Sequence, residues 1–193
     1  MKGFSLLLVV VMLSACSSAP SDIPPGDLLD QAQTLLHGAP GEQNNQQALD
    51  LVDRAIAKDS TLIRARQLRV TLLLQAGDVA AAHIEMEQIA ALDGSPTNSL
   101  FVCMLREAAA ITMDDLEACY QQSAHQFEAV LEEPHNDANY ALALRFAGAA
   151  QFSDVTETFL DTVENEDMKE TFRIMLVETE RAELIKSFFP ALN

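Results

Sequence analysis

The sequence predicts an all-α protein built of antiparallel helix hairpins, and three observations predict it. Apolar residues recur three and four positions apart along most of the chain, which places them on one face of a 3.6-residue helix. No run alternates apolar and polar residues, and no Val/Ile/Tyr-rich stretch is bounded by hairpin turns, so no sheet is expected. Glycine, proline and acidic caps punctuate the pattern at roughly helix-length intervals, and such short connections fold neighbouring helices back on one another.

Taken in order, Asp27 caps a first helix carrying Leu28, Leu29, Ala32, Leu35 and Leu36, which Gly38 and Pro40 end. A polar Gly/Glu/Asn/Gln stretch follows. The second helix, Gln46 to Lys58, sets Ala48, Leu49, Val52, Ala55 and Ile56 against Asp50, Asp53 and Arg54. A third runs from Thr61 to Ala76, closed by Gly77, and a fourth from Asp78 to Leu92. Ser95 and Pro96 fit a cap and first helical position for a fifth helix ending near Ile111. Thr112-Met113-Asp114-Asp115 resembles a capping box for a sixth, which reaches Glu133 with a break near Ser123 and stops at Pro134. Two helices, Asp137 to Ala147 and Asp154 to Val163, flank Gly148 and Ser153, and one last helix covers Met168 to Phe189.

An internal period is also present. Ala48, Val52 and Ala55 recur as Ala82, Met86 and Ile89, each about 34 residues on. This resembles the tetratricopeptide repeat, best over Gln46 to Asp93, with a weaker echo in Ala129, Pro134 and Tyr140. The sequence departs from that pattern at Ser60, where a proline is common, and at Arg66, where an aromatic is expected. The resemblance implies a short solenoid of stacked hairpins; the alternative is an irregular helical bundle.

The amino terminus reads as an export signal. Lys2 precedes the apolar run Phe4 to Leu13 and the small residues Ser14 and Ala15, and that run is too short to span a bilayer. Leu13-Ser14-Ala15-Cys16 resembles the lipobox of bacterial lipoproteins. The resemblance implies cleavage before Cys16 and attachment of acyl chains, palmitate among them, to that cysteine. Each buried methylene contributes about 0.8 kcal/mol, so several chains anchor tightly. Ser17, standing where aspartate would signal retention at the inner membrane, implies the periplasmic face of the outer membrane. The expected organisation is a signal peptide over 1–15, a lipidated tether over 16–26 containing Pro24-Pro25-Gly26, and a helical domain over 27–193.

The formal net charge is −17, and loss of Lys2 with the leader makes it one unit more negative. Such a surface repels nucleic-acid phosphates and offers no basic patch to anionic lipid. With 49% hydrophobic residues the chain can still bury a substantial core.

With Cys16 assigned to lipid, Cys103 and Cys119 remain, in a compartment where disulfides persist. Both are equidistant from residue 111, the expected turn of a hairpin, so they lie at one height and can bond if both face inward. A bridge there closes a loop of about fifteen residues, worth about 3 kcal/mol in the chain-entropy account. The alternative is a pair of small buried hydrophobes.

No catalytic pattern emerges. His37, His83, His125 and His135 lack ligand spacing, so no metal is expected, and the segment beginning at His83 lacks the second histidine of a zinc protease. There is neither a nucleophile elbow nor a phosphate-binding glycine loop, and no cofactor or small-molecule substrate is indicated. The acid pairs Asp114 and Asp115, Glu132 and Glu133, and Asp161 with Glu164 fit caps and solvated faces.

What remains is surface for a protein partner. Arg64, Gln67, Thr71 and Gln75 form one polar stripe at helical spacing, which in the repeat family lines the ligand groove. Ile185, Phe188, Phe189 and Leu192 are expected to close the core. The sequence therefore points to a non-enzymatic scaffold or assembly factor for an envelope complex such as a pilus, secretion system or cell-wall machinery. The rival is a periplasmic immunity lipoprotein that neutralises a toxic effector through complementary charge. A third reading, an enzyme with an unfamiliar site, has no motif behind it.

Overall fold

The computed structural model describes residues 22–38, 41–111 and 114–189. Among them there is no strand, and the helices are α1 (Pro25–Gly38), α2 (Glu42–Lys58), α3 (Ile63–Gln75), α4 (Val79–Asp93), α5 (Pro96–Ala108), α6 (Leu116–Val130), α7 (Ala138–Phe146), α8 (Phe152–Thr162), α9 (Glu166–Arg173) and α10 (Arg181–Phe188). From α1 to α8 each helix packs on the next in sequence, giving an all-α solenoid of stacked hairpins. The expected signal peptide, Cys16 and most of the expected tether lie outside the described residues, as does Leu192.

Three hairpins turn in the same way. After α3, the Gly77 N–H bonds to Leu74 O and the Asp78 N–H to Leu73 O; after α7, Gly148 and Ala149 bond to Arg145 O and Leu144 O. After α5, Ala110 and Ile111 bond to Glu107 O and Arg106 O in the same pattern. This closure uses a left-handed residue, and Gly77, Gly148 and Ala110 have φ of 77°, 62° and 52°. Glycine takes that conformation freely, whereas alanine brings its Cβ against the carbonyl that follows.

All six residues of the 34-residue recurrence, Ala48, Val52, Ala55, Ala82, Met86 and Ile89, are buried, so the period in the sequence is a period in the core. The small side chains let backbones approach closely. Two apolar clusters result, one joining α1, α2 and part of α3, the other running from α3 to Phe189. Helix α3 serves both, turning Ala65 and Leu72 to the first and Val70 and Leu73 to the second. The weaker echo holds less well: Tyr140 is buried, but Ala129 is exposed.

Several boundaries differ from expectation. Helix α1 starts at Pro25, with Pro25 rather than Asp27 in the opening position, and Ile23 already packs on the first cluster. The polar stretch after Gly41 is helical from Glu42, because α2 packs against α1 along its length and needs no strong intrinsic propensity. Helix α6 continues through Ser123, which is buried and donates to Pro96 O at 3.3 Å. The capping box fails at its acidic end: the box would place Asp115 inside the first helical turn, whereas α6 begins only at Leu116 and Asp115 stands before it at φ 67° with no side-chain cap bond.

The largest correction is at the carboxyl end. Instead of one helix over Met168 to Phe189, α9 passes into a π-helical turn (Ile174–Glu178), the chain breaks at Thr179 and Glu180, and α10 restarts at Arg181. The cause is tertiary. Arg145 on α7 donates to Met175 O at 2.6 Å and to Thr179 O, capturing carbonyls that a continuous helix would direct to its next turn. The core-closing expectation stands for Ile185 and Phe189, both buried, while Phe188 is partly buried against the same cluster.

Candidate protein-binding site

The predicted stripe lies on one exposed face of α3, where Arg64, Gln67, Thr71 and Gln75 are all solvent-accessible. Their face is set by what fills the rest of the helix: two sides are apolar, and the side opposite the stripe carries Arg66 and Arg69. Thr71 Oγ1 donates to Gln67 O at 3.1 Å, and Gln75 Oε1 accepts from Asn45 Nδ2 of α2 at 3.2 Å. Gln75 also lines a cleft of about 460 Å³ between α2 and α3, floored by Leu49 and Leu72 and rimmed by Glu42, Asn45 and Gln46. The stripe thus leads into a recess whose edge is amides and one carboxylate, groups able to pair with a peptide backbone.

Behind the stripe, Arg66 and Arg69 meet Glu85 of α4. Arg66 Nη1 pairs with one carboxylate oxygen, Arg69 Nη1 with the other at 2.5 Å, and Arg69 Nε reaches Asp53 of α2 at 2.7 Å. Glu85 is only 4% exposed at its side chain, and two guanidinium groups offset the cost of burying it. Arg66 departs from the repeat consensus because α4 carries a matching acid. These four charges tie α2, α3 and α4 into one rigid support for the exposed face.

On α5 the corresponding surface is occupied. Thirty-four residues beyond Gln67 and Thr71, by the repeat length, stand Phe101 and Leu105. The Phe101 ring lies 5.3 Å from that of Phe189, and Leu105 is wholly buried. The segment that covers this region is held by Arg181, which donates to Glu107 Oε1 and Oε2 at 2.7 and 2.9 Å and to Phe146 O at 2.9 Å. Its guanidinium also sits 5.3 Å from the Tyr120 ring centre and 4.9 Å from that of Phe146. Glu107 further accepts from Tyr120 Oη at 2.6 Å. Burial, with the carboxylate beside it, pushes the Tyr120 phenol far above its ordinary value and keeps it a donor, while the bond to Glu107 holds Arg181 above its own.

The chain matches no family model, no curated protein and no solved structure. Geometry therefore carries the functional argument.

Cys103 and Cys119 are bonded, with Cα atoms 5.9 Å apart on α5 and α6, as their equal distance from the turn predicts. The acid pairs do not converge. Glu133 accepts from Asn136 at 2.6 Å, and Asp161 meets Lys169 at 3.4 Å, both local uses. Among the described residues no group of three or more His, Cys, Asp or Glu is placed to hold a metal, and no helix is long and apolar enough to cross a membrane.

Sequence reasoning missed both charge networks. For Glu85 a signal existed, since it lies next to Met86 on a mostly apolar helix and an unusual arginine occupies the preceding one. For Arg181 and Glu107, 74 residues apart, none did.

Proposed function

We propose that this chain is a lipid-anchored protein of the outer membrane, facing the periplasm, that works by binding alone and holds a protein partner along α3. The observation that carries the reading is the contrast between α3 and α5. The face that on α5 already grips a helical segment, the chain's own carboxyl end, is on α3 polar, rigidly backed and open. A surface that binds one segment in cis is suited to bind another in trans. The anchoring half of the proposal is supported by Leu13-Ser14-Ala15-Cys16, and tethering at a membrane raises the effective concentration of the domain for other envelope components. A scaffold or assembly role in a pilus, secretion system or cell-wall complex follows from that combination.

Two variants test it. The double substitution Gln67→Arg with Thr71→Arg alters only exposed positions and leaves the melting temperature unchanged, while retention of envelope proteins by the full chain falls at least tenfold. Cys16→Ala releases the protein from the membrane fraction or stalls its maturation. Undiminished retention would sink the groove, and undiminished membrane association would sink the anchor. A secreted toxin as the retained protein would move the role from assembly to immunity.

A further inference from the structure

A second recess lies away from the α3 stripe, between α4, α5 and α6, and its volume is about 200 Å³. This is several times the roughly 30 Å³ that one water occupies in the liquid. Its floor and walls are largely apolar, formed by Val102, the Cys103–Cys119 disulfide and Ala90. Its polar lining is Ser99, Gln122 and Ser123 together with two acceptors, the Glu87 carboxylate and the Gln126 side-chain oxygen. Glu87, half exposed on α4, presents a carboxylate, and the buried Oε1 of Gln126 on α6 has no hydrogen-bond partner within the protein. Beside Glu87, on the same side of α4, the imidazole of His83 is nine-tenths buried. Its Nε2 lies 3.8 Å from the Glu87 carboxylate and also lacks a hydrogen-bond partner. An orphaned buried polar atom costs stability unless something supplies its bond, and the Gln126 oxygen belongs to a residue lining the recess, where a ligand can supply it.

We propose that this recess receives a cationic side chain, a lysine or arginine, from a partner protein. The chemistry matches in both parts: an aliphatic stem lies over Val102 and the disulfide, and the charged head donates to the Glu87 carboxylate and Gln126 Oε1. A formal net charge of −17 favours approach of a basic partner and selects against an acidic one. The inference stands on this recess alone, so it is independent of whether the α3 stripe is the principal groove.

The test uses three tripeptides added to the isotopically labelled full chain: acetyl-Ala-Lys-Ala-amide, acetyl-Ala-Arg-Ala-amide and their neutral norleucine counterpart. The side-chain amide resonances of Gln122 and Gln126, which line the recess, report binding. The lysine or the arginine peptide shifts them saturably, the norleucine peptide does not, and comparing the two cations shows which head fits. Glu87→Gln, at a half-exposed position that leaves folding intact, weakens the cationic peptide at least fivefold, and Gln126→Leu weakens it as read by Gln122. Raising the salt concentration weakens it further. Absence of a saturable shift with either cationic peptide, equal binding of the norleucine peptide, or unchanged affinity in Glu87→Gln overturns the proposal.

Discussion

Arg181, at the first position of α10, forms a two-bond fork with Glu107 on α5, and this pair determines where the carboxyl-terminal segment rests. Glu107 is 14% exposed and Arg181 41%, so the pair is worth less than a fully buried one. Arg181→Ala is expected to cost about 1–2 kcal/mol, because it also strips a donor from Phe146 O and the cation from two rings. Amide exchange over 181–188 accelerates ahead of the rest of the chain. Arg181→Lys keeps the charge but loses the fork and falls between the two. Uniform acceleration across α1 to α10 would show that the segment does not open separately.

Glu85 makes the opposite kind of pair, 4% exposed and facing two arginines. Removing it leaves Arg66, 11% exposed at its side chain, without a carboxylate while Arg69 keeps Asp53, and Glu85→Ala is expected to cost about 3–5 kcal/mol. Replacing both partners, Arg66→Met with Glu85→Leu, leaves Arg69 on Asp53 and costs under about 1 kcal/mol. Urea midpoints decide between them. If the double variant is as unstable as the single one, the network has a structural role beyond its charges.

How far the fold could be read depended on whether its cause was local. Ala48, Val52 and Ala55, with their recurrences, gave the hairpins because amphipathic period and burial are one fact seen twice. Cys103 and Cys119 were legible through hairpin symmetry. The break at Thr179 was not, since its agent is Arg145, at a distance of 34 residues. Helix continuity there depends on a side chain that local pattern does not include. The α3 stripe was visible as spacing, whereas the recess beside Glu87 joins three helices and leaves no mark on any one of them.

Ala110 occupies the turn position that glycine occupies at Gly77 and Gly148, with φ 52°. The left-handed conformation costs a Cβ-bearing residue about 1–2 kcal/mol, partly offset by the greater freedom glycine has when unfolded. Ala110→Gly is therefore expected to stabilise the protein by about 0.5–1 kcal/mol, and Gly148→Ala to destabilise it by a similar amount. Thermal melts of the two variants should move in opposite directions; movement in the same direction would mean the turns are not equivalent.

Tyr140 Oη donates to Glu128 Oε1 at 2.6 Å, and the bond has a pH window. The tyrosine bond, then His125, lowers the Glu128 carboxyl from 4.5, so its contribution is present above that value and is lost as pH falls through the depressed one. Burial, then the same carboxylate, pushes Tyr140 from 10.0 up to about 12, so its contribution is complete below pH 10 and is lost as pH climbs toward 12. Tyr140→Phe removes both at once. Its cost, about 1 kcal/mol at neutral pH, should shrink toward either end, being greatest between about pH 5 and 10. Urea unfolding of both proteins at pH 3, 7 and 11 checks this, and a cost that stays constant across the three would mean the phenol contributes packing alone.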